Sequence, residues 1–316
     1  MHVHQAGIAA ISFLASAVAA FPINGGNHAL LSRAELESTI DDKTVVQFML
    51  MLEHVENAFY HTYMDNFDDG AFAAAGLQPW VRGRFVQLLE HEDIHVRLLE
   101  TALGNDAPVV CEYQYPVKTV EDFVGLSSVL ENGATGVYVG YANILQDKEL
   151  IVQAASIAIT ETRHATWLDS AVQKGSPWSG AFATPIAMDD AFSLLATFTV
   201  SCPPGNPTLP LVAHTPLAVD PPTPLPGSNV SLIFDTTILS ANESRLFLAV
   251  LSGLNTTFVS LDTVGGNFTA TVPTGLQGLV YAVVATTDAL PLSQNTTITA
   301  PAVLRFPFDS QTQNAQ

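Results

Sequence analysis

Apolar residues in the first half of the chain fall on stripes of helical period. Phe85, Leu88, Glu92, His95 and Leu99 share one such stripe, and Ala154, Ile157, Glu161, His164 and Leu168 share another. With start and stop signals, the pattern predicts four long helices and a short one. The first runs over about 42–67, behind Asp41 and Asp42, and the second over 79–104, between Pro79 and Gly104. The third runs over about 119–144 from a near capping box at Thr119 and Asp122, and the fourth over 147–174, ending at Gly175. The fifth covers about 185–200. Gly133, Gly136 and Gly140 weaken the third helix intrinsically, and close packing against a neighbouring helix is expected to compensate.

After Cys202 the period changes. Residues 207–227 are rich in proline and read as a linker with short extended stretches. Strand-like runs follow at 230–235, 245–251, 257–262, 268–272, 279–286 and 297–306, with turns such as Val264-Gly-Gly-Asn between them. This spacing predicts a small antiparallel sandwich, immunoglobulin-like in size, over 228–308, with a polar tail at 309–316. The fold class expected is α+β multidomain: a helical bundle over 28–206, then a β-sandwich. The sandwich shows no catalytic set, so its expected roles are packing on the bundle, contact with a cell-wall or extracellular partner, or glycan display.

A formal net charge of -19, with only 13% charged residues, argues against nucleic-acid or anionic-membrane partners, which require a basic patch. Residues 1–20 read as a secretory signal peptide, with an apolar run too short to span a bilayer and a Val18-Ala19-Ala20 cleavage signal, although no Lys or Arg precedes the run. An extracellular or cell-wall location follows as the expectation. Two cysteines, Cys111 and Cys202, then read most simply as one disulfide; two buried thiols are the alternative. Five N-x-[ST] sequons, at Asn229, Asn242, Asn255, Asn267 and Asn295, cluster in the C-terminal half and suggest a glycosylated surface.

The candidate chemistry is one constellation written twice. Glu53 is followed by Tyr60 and then by Glu92-x-x-His95; Glu131 is followed by Tyr138 and then by Glu161-x-x-His164. Residues at i and i+3 share a helix face, so a Glu and a His at that spacing reach one metal ion. Four helices carrying Glu, Glu-x-x-His, Glu and Glu-x-x-His match the ligand set of di-iron and di-manganese carboxylate bundles. Carboxylates on apolar stripes are costly unless paired or metal-bound, and oxygen and imidazole donors without thiolate suit iron or manganese. A single Glu-x-x-His is more often a solvated helix face; two, each behind a Glu-x6-Tyr, are much harder to obtain by chance. Glu56, one turn from Glu53, is an alternative or supplementary ligand. His54, His91 and His61 adjoin the set but point off the stripe and read as outer-layer or solvated. Tyr60 and Tyr138 read either as redox or access residues or as packing groups with a hydrogen-bonded hydroxyl.

Several stretches resemble one family: Phe48-x3-Leu52-Glu53-x2-Glu56-x2-Phe59-Tyr60, Glu92-x2-His95-x3-Leu99, Cys111-x-Tyr113-x-Tyr115-Pro116, Glu161-x-Arg163-His164-Ala165-x-Trp167-Leu168 and Cys202-Pro-Pro-Gly-Asn-Pro207. Residues 28–207 resemble the secreted ferritin-like proteins of fungi, the stress-response and late-sexual-development group, related to plant desiccation-related proteins. The resemblance implies a ferritin-like bundle with Glu53, Glu92, His95, Glu131, Glu161 and His164 as ligands to two iron or manganese ions. Two functions stay open: an oxidoreductase acting on dioxygen or peroxide, and a binding or cell-wall glycoprotein without turnover.

Overall fold

The computed structural model describes residues 40–239 and 245–312. The proposed signal segment, Asn242 and the last residues lie outside them. The helical half comprises α1 (Asp42–Asn66), α2 (Asp69–Ala74), α3 (Trp80–Leu103), α4 (Val120–Tyr141), α5 (Lys148–Trp167) and α6 (Met188–Ala196). Four long helices form the bundle: α1 lies along α3, α4 lies along α5, and α1 also meets α4.

Each start has a local cause. The Asp41 carboxylate accepts from the Thr44 amide at 2.8 Å. Thr119 and Asp122 form a reciprocal capping box on α4. Asp147 caps α5, and its own amide donates to Asp42 Oδ2 at 2.8 Å, so the α4–α5 turn is tied to the head of α1.

Two helix ends differ from the sequence expectation. The regular part of α5 stops at Trp167, and a π-turn, Leu168–Val172, carries the chain on to Lys174. The expected fifth helix over 185–200 shortens to Met188–Ala196 because the Thr184–Ile186 backbone lies along a notch in α4. The Ile186 amide donates to the Gly136 carbonyl at 2.9 Å. A Cβ on Gly140 would stand 2.1 Å from the Ile186 carbonyl oxygen, and one on Gly136 2.7 Å from that of Thr184. The partner of these glycines is thus the backbone of an irregular segment rather than the helix expected. The end of that expected helix is also strand: β2 (Thr199–Ser201) pairs with β1 (Glu112–Tyr113). The Cys111–Cys202 disulfide closes that ribbon, and the Asn206 amide brackets Val109 through bonds of 2.7 and 2.8 Å.

The C-terminal half is two antiparallel four-stranded sheets. One has the order β3 (Ala218–Asp220), β4 (Asn229–Ile233), β8 (Asn267–Thr271), β7 (Asp262–Val264); the other has β10 (Ala302–Phe306), β9 (Gly278–Ala285), β5 (Phe247–Ser252), β6 (Asn255–Ser260). Within the proline-rich stretch one short extended segment is β3, and Leu209 and Leu211 pack on the bundle core. The run expected at 257–262 is split at Leu261, where the chain passes from one sheet to the other. Gly265 and Gly266, with φ of +61° and +87°, make the tight turn between β7 and β8.

Strand β9 is buried along its whole length. Val280, Ala282 and Val284 face the other sheet, while Leu279 and Tyr281 join the bundle core. A strand with both faces covered reads as a continuous apolar run, as this one does. A polar link pins the same contact. Arg305 on β10 pairs with Asp169 at 2.9 Å and donates to the Ser128 hydroxyl on α4 at 2.6 Å. Asp169 also accepts from Ser128 and from Asn132.

The notch gives a paired prediction. Gly140→Ala, which drives a methyl into backbone, should cost about 1–3 kcal/mol and lower the melting temperature. Gly133→Ala on the same helix meets nothing within 4 Å. It should raise stability by up to about 1 kcal/mol through helix propensity. Equal effects of the two in thermal melts would contradict the packing described.

Candidate metal centre

Five glutamates converge in the middle of the bundle: Glu53 and Glu56 from α1, Glu92 from α3, Glu131 from α4 and Glu161 from α5. None is more than 1% exposed. They stand there because each occupies a position on its helix's apolar stripe. His95 and His164, one turn beyond Glu92 and Glu161, are buried beside them.

The donors sort into two groups whose ligand atoms lie within 4.8 Å of one another: Glu53, Glu92, His95, Glu161, and Glu92, Glu131, Glu161, His164. Glu92 and Glu161 belong to both. The Nδ1 of His95 lies 3.0 Å from Glu161 Oε1, 3.2 Å from Glu92 Oε2 and 3.3 Å from Glu53 Oε2. The Nδ1 of His164 lies 3.1 Å from Glu131 Oε2, 3.5 Å from Glu92 Oε1 and 3.6 Å from Glu161 Oε2. Glu92 and Glu161 therefore each turn one oxygen toward each histidine.

The tyrosines cross the bundle. Tyr60 on α1 donates to Glu131 Oε1 on α4 at 2.5 Å, and Tyr138 on α4 donates to Glu53 Oε1 on α1. Each of these glutamates thus has one oxygen fixed by a tyrosine and the other free to face its histidine. The seven-residue Glu–Tyr spacing places tyrosine and glutamate on one face, but the hydrogen bonds run between helices. Phe59, Phe85 and Phe123 surround Tyr60 and close that end against water.

Burial and the neighbouring carboxylates push Glu56 and Glu92 well above the usual carboxylate range. Burial likewise raises Glu131, against the opposing pull of His164, to about 8. Burial also lifts Glu161, but hydrogen bonds from His164 and His95 outweigh it and hold its carboxyl low. Burial would lower His164, yet Glu131 and Glu161 push it up to about 11. Both oxygens of Glu56 have no hydrogen-bond donor, while both oxygens of Glu161, Glu53 Oε2 and Glu92 Oε1 meet only the histidine nitrogens. Five acids facing two imidazoles leave surplus negative charge in a medium where an unpaired ion costs several kcal/mol. Cations would offset that surplus, and the buried Glu and His groups could hold metal ions.

Glu56 is buried in the same core but belongs to neither close group. His54 is buried as well, and burial pushes its pKa down to about 4. His61 sits outside and pairs with Asp93 at 3.0 Å. His91 touches the centre from outside: its Nδ1 lies 2.9 Å from Nε2 of His164. Sequence reasoning missed the Ser128–Asp169–Arg305 link, for which no local pattern exists. Four sequon asparagines, Asn229, Asn255, Asn267 and Asn295, are exposed.

Comparison with known proteins agrees with this architecture. Residues 41–174 match the model of the ferritin-like domain. The chain is 28% identical over 271 residues to Protein rds1 of Schizosaccharomyces pombe, an alignment covering 72% of this chain and 67% of that protein. The bundle with its buried Glu and His set is a ferritin-like domain, and the chain fits a ferritin-like family of fungi.

Proposed function

We propose that the bundle holds a carboxylate-bridged dinuclear iron or manganese centre used for redox chemistry on dioxygen or peroxide. Glu53, Glu92, His95 and Glu161 would hold one ion and Glu92, Glu131, Glu161 and His164 the other, with Glu92 and Glu161 shared between the two groups. The observation that carries this reading is the orientation of Glu92 and Glu161, each with one oxygen toward each histidine. An all-oxygen-and-nitrogen donor set suits these metals better than a structural zinc. When bound, such a pair supplies two-electron exchange with a small oxidant.

The chain's own groups set the conditions for that exchange. Tyr60 and Tyr138 hold Glu131 and Glu53 in place by hydrogen bonds. Glu56, with burial keeping its carboxyl protonated, holds a proton close to the ligand set. An open depression between α3 and α5, lined by His95 and His164, admits small molecules from solvent. That access favours turnover over a purely structural role. The Cys111–Cys202 disulfide and the exposed sequons support a secreted glycoprotein. No helix among the described residues is long and apolar enough to cross a membrane.

Elemental mass spectrometry on protein purified without chelator should find about two iron or manganese ions per chain. Glu92→Ala and Glu161→Ala should each empty the centre while far-UV circular dichroism stays near that of the parent. Retention of both ions in both variants would remove the assignment. Peroxide or oxygen consumption by the loaded protein separates turnover from simple binding.

Metal affinity should also depend on pH with a definite sign. In the metal-free protein His164 keeps its proton up to about pH 11 and Glu131 up to about pH 8. Metal must displace those protons, so loading releases acid, and affinity rises with pH by about tenfold per unit for each proton released. Competition with a chelator at about pH 6 and about pH 8 measures the slope, and a flat profile contradicts this ligand set.

A further inference from the structure

The two halves of the centre repeat one pattern, but they differ at the residue just before each Glu-x-x-His. His91 precedes Glu92, whereas Thr160 precedes Glu161. The difference has a geometric result. His91 Nδ1 lies 2.9 Å from His164 Nε2, and the two rings stack with centroids 5.2 Å apart and planes 13° from parallel. Both nitrogens of His164 are thereby engaged: Nδ1 faces the carboxylates and Nε2 faces His91. The Thr160 hydroxyl instead turns back to the Ser156 carbonyl at 3.2 Å. Among the described residues, none meets the outer nitrogen of His95 in this way. That nitrogen belongs to a ring lining the depression between α3 and α5, about 360 Å³ in volume, together with His91, Ile94, Thr160, Arg163 and His164.

We propose that His91 is a positioning residue for His164, and that the two metal positions are therefore inequivalent. The position formed with Glu131 and His164 is preset and fills first; the position formed with Glu53 and His95 is weaker and exchanges through the depression. The reason is general: an imidazole ligand whose second nitrogen is hydrogen-bonded has its ring orientation and tautomer fixed before the ion arrives, and its basicity is raised. His91 accepts at Nδ1 the proton that His164 carries on Nε2, leaving Nδ1 of His164 as the metal donor. This inference rests on the dinuclear reading above.

The test is anaerobic titration of the chelator-stripped full chain with Mn²⁺, followed by calorimetry. The parent protein should bind in two distinguishable steps. His91→Ala should weaken the tighter step by about 10–100-fold and leave the second unchanged. His91→Asn, whose side-chain oxygen can stand where Nδ1 stood, should restore most of that loss, and Thr160→Ala should move neither step. His91 is exposed, so circular dichroism of the variants should match the parent. Two equal steps in the parent, equal weakening of both steps in His91→Ala, or no recovery in His91→Asn would each overturn the inference while leaving the dinuclear centre standing. A parent that binds no Mn²⁺ would overturn both together.

Discussion

Five carboxylates buried in one bundle core are the constraint around which the rest of this structure is arranged. Glu53, Glu56, Glu92, Glu131 and Glu161 are shielded from water and face only two histidines. Like charges at this range in a low-dielectric interior repel strongly. The protein answers in three ways. Burial and the neighbouring carboxylates raise Glu56, Glu92 and Glu131 toward their protonated forms. The histidines take up protons and hold Glu161 ionised. Tyr60 and Tyr138 each tie down one oxygen of a glutamate on the opposite helix. A site built this way is poised for cations, because ions replace the protons and relieve the repulsion.

Such a site demands rigid helices, and much of the remaining structure provides that. The α1–α4 contact is locked by the crossed tyrosines. Helix α4, with three glycines in its second half, would be weak alone, but the Thr184–Ile186 backbone docks in the notch that two of them open. The Cys111–Cys202 disulfide fastens the chain where it leaves the bundle to the loop behind α3. The sandwich then seals the side of the bundle with β9, while Arg305 neutralises Asp169 just beyond α5. Through Ser128, that ion pair reaches the helix that carries Glu131. The C-terminal half is thus part of the core that holds the centre, whatever further partner its outer surface meets.

The centre is closed by aromatic rings at the Tyr60 end and open between α3 and α5. That contrast sets its chemical character. The open side is lined by His91, Ile94, His95, Thr160, Arg163 and His164, so the histidine side of the set is the one that solvent reaches. Pseudo-symmetry in the chain pattern gives two matching ligand groups; the single substitution of Thr160 for His91 breaks the match.

The sequence by itself determined the elements that obey local rules. Helix starts at Asp41, Thr119 and Asp147 follow from capping chemistry; of the six ligand candidates, Glu92, His95, Glu161 and His164 follow from i, i+3 spacing and Glu53 and Glu131 from the Glu–Tyr repeat, all within apolar helices. Burial of those positions was legible because an acid on an apolar stripe has nowhere else to go. Most of the strands were readable from their β-branched runs, and the disulfide from an even cysteine count. What only the tertiary structure decided involves partners distant in the chain. The tyrosines pair across helices rather than along them. The α4 glycines receive a non-helical backbone segment, 184–186, which cuts short a helix expected from local propensity. The proline-rich stretch becomes an edge strand, and the 257–262 run divides between two sheets. Arg305 finds Asp169, and His91 finds His164. Local sequence sets which face a residue occupies, but the partner on that face depends on how separate elements pack, and no short-range pattern encodes it.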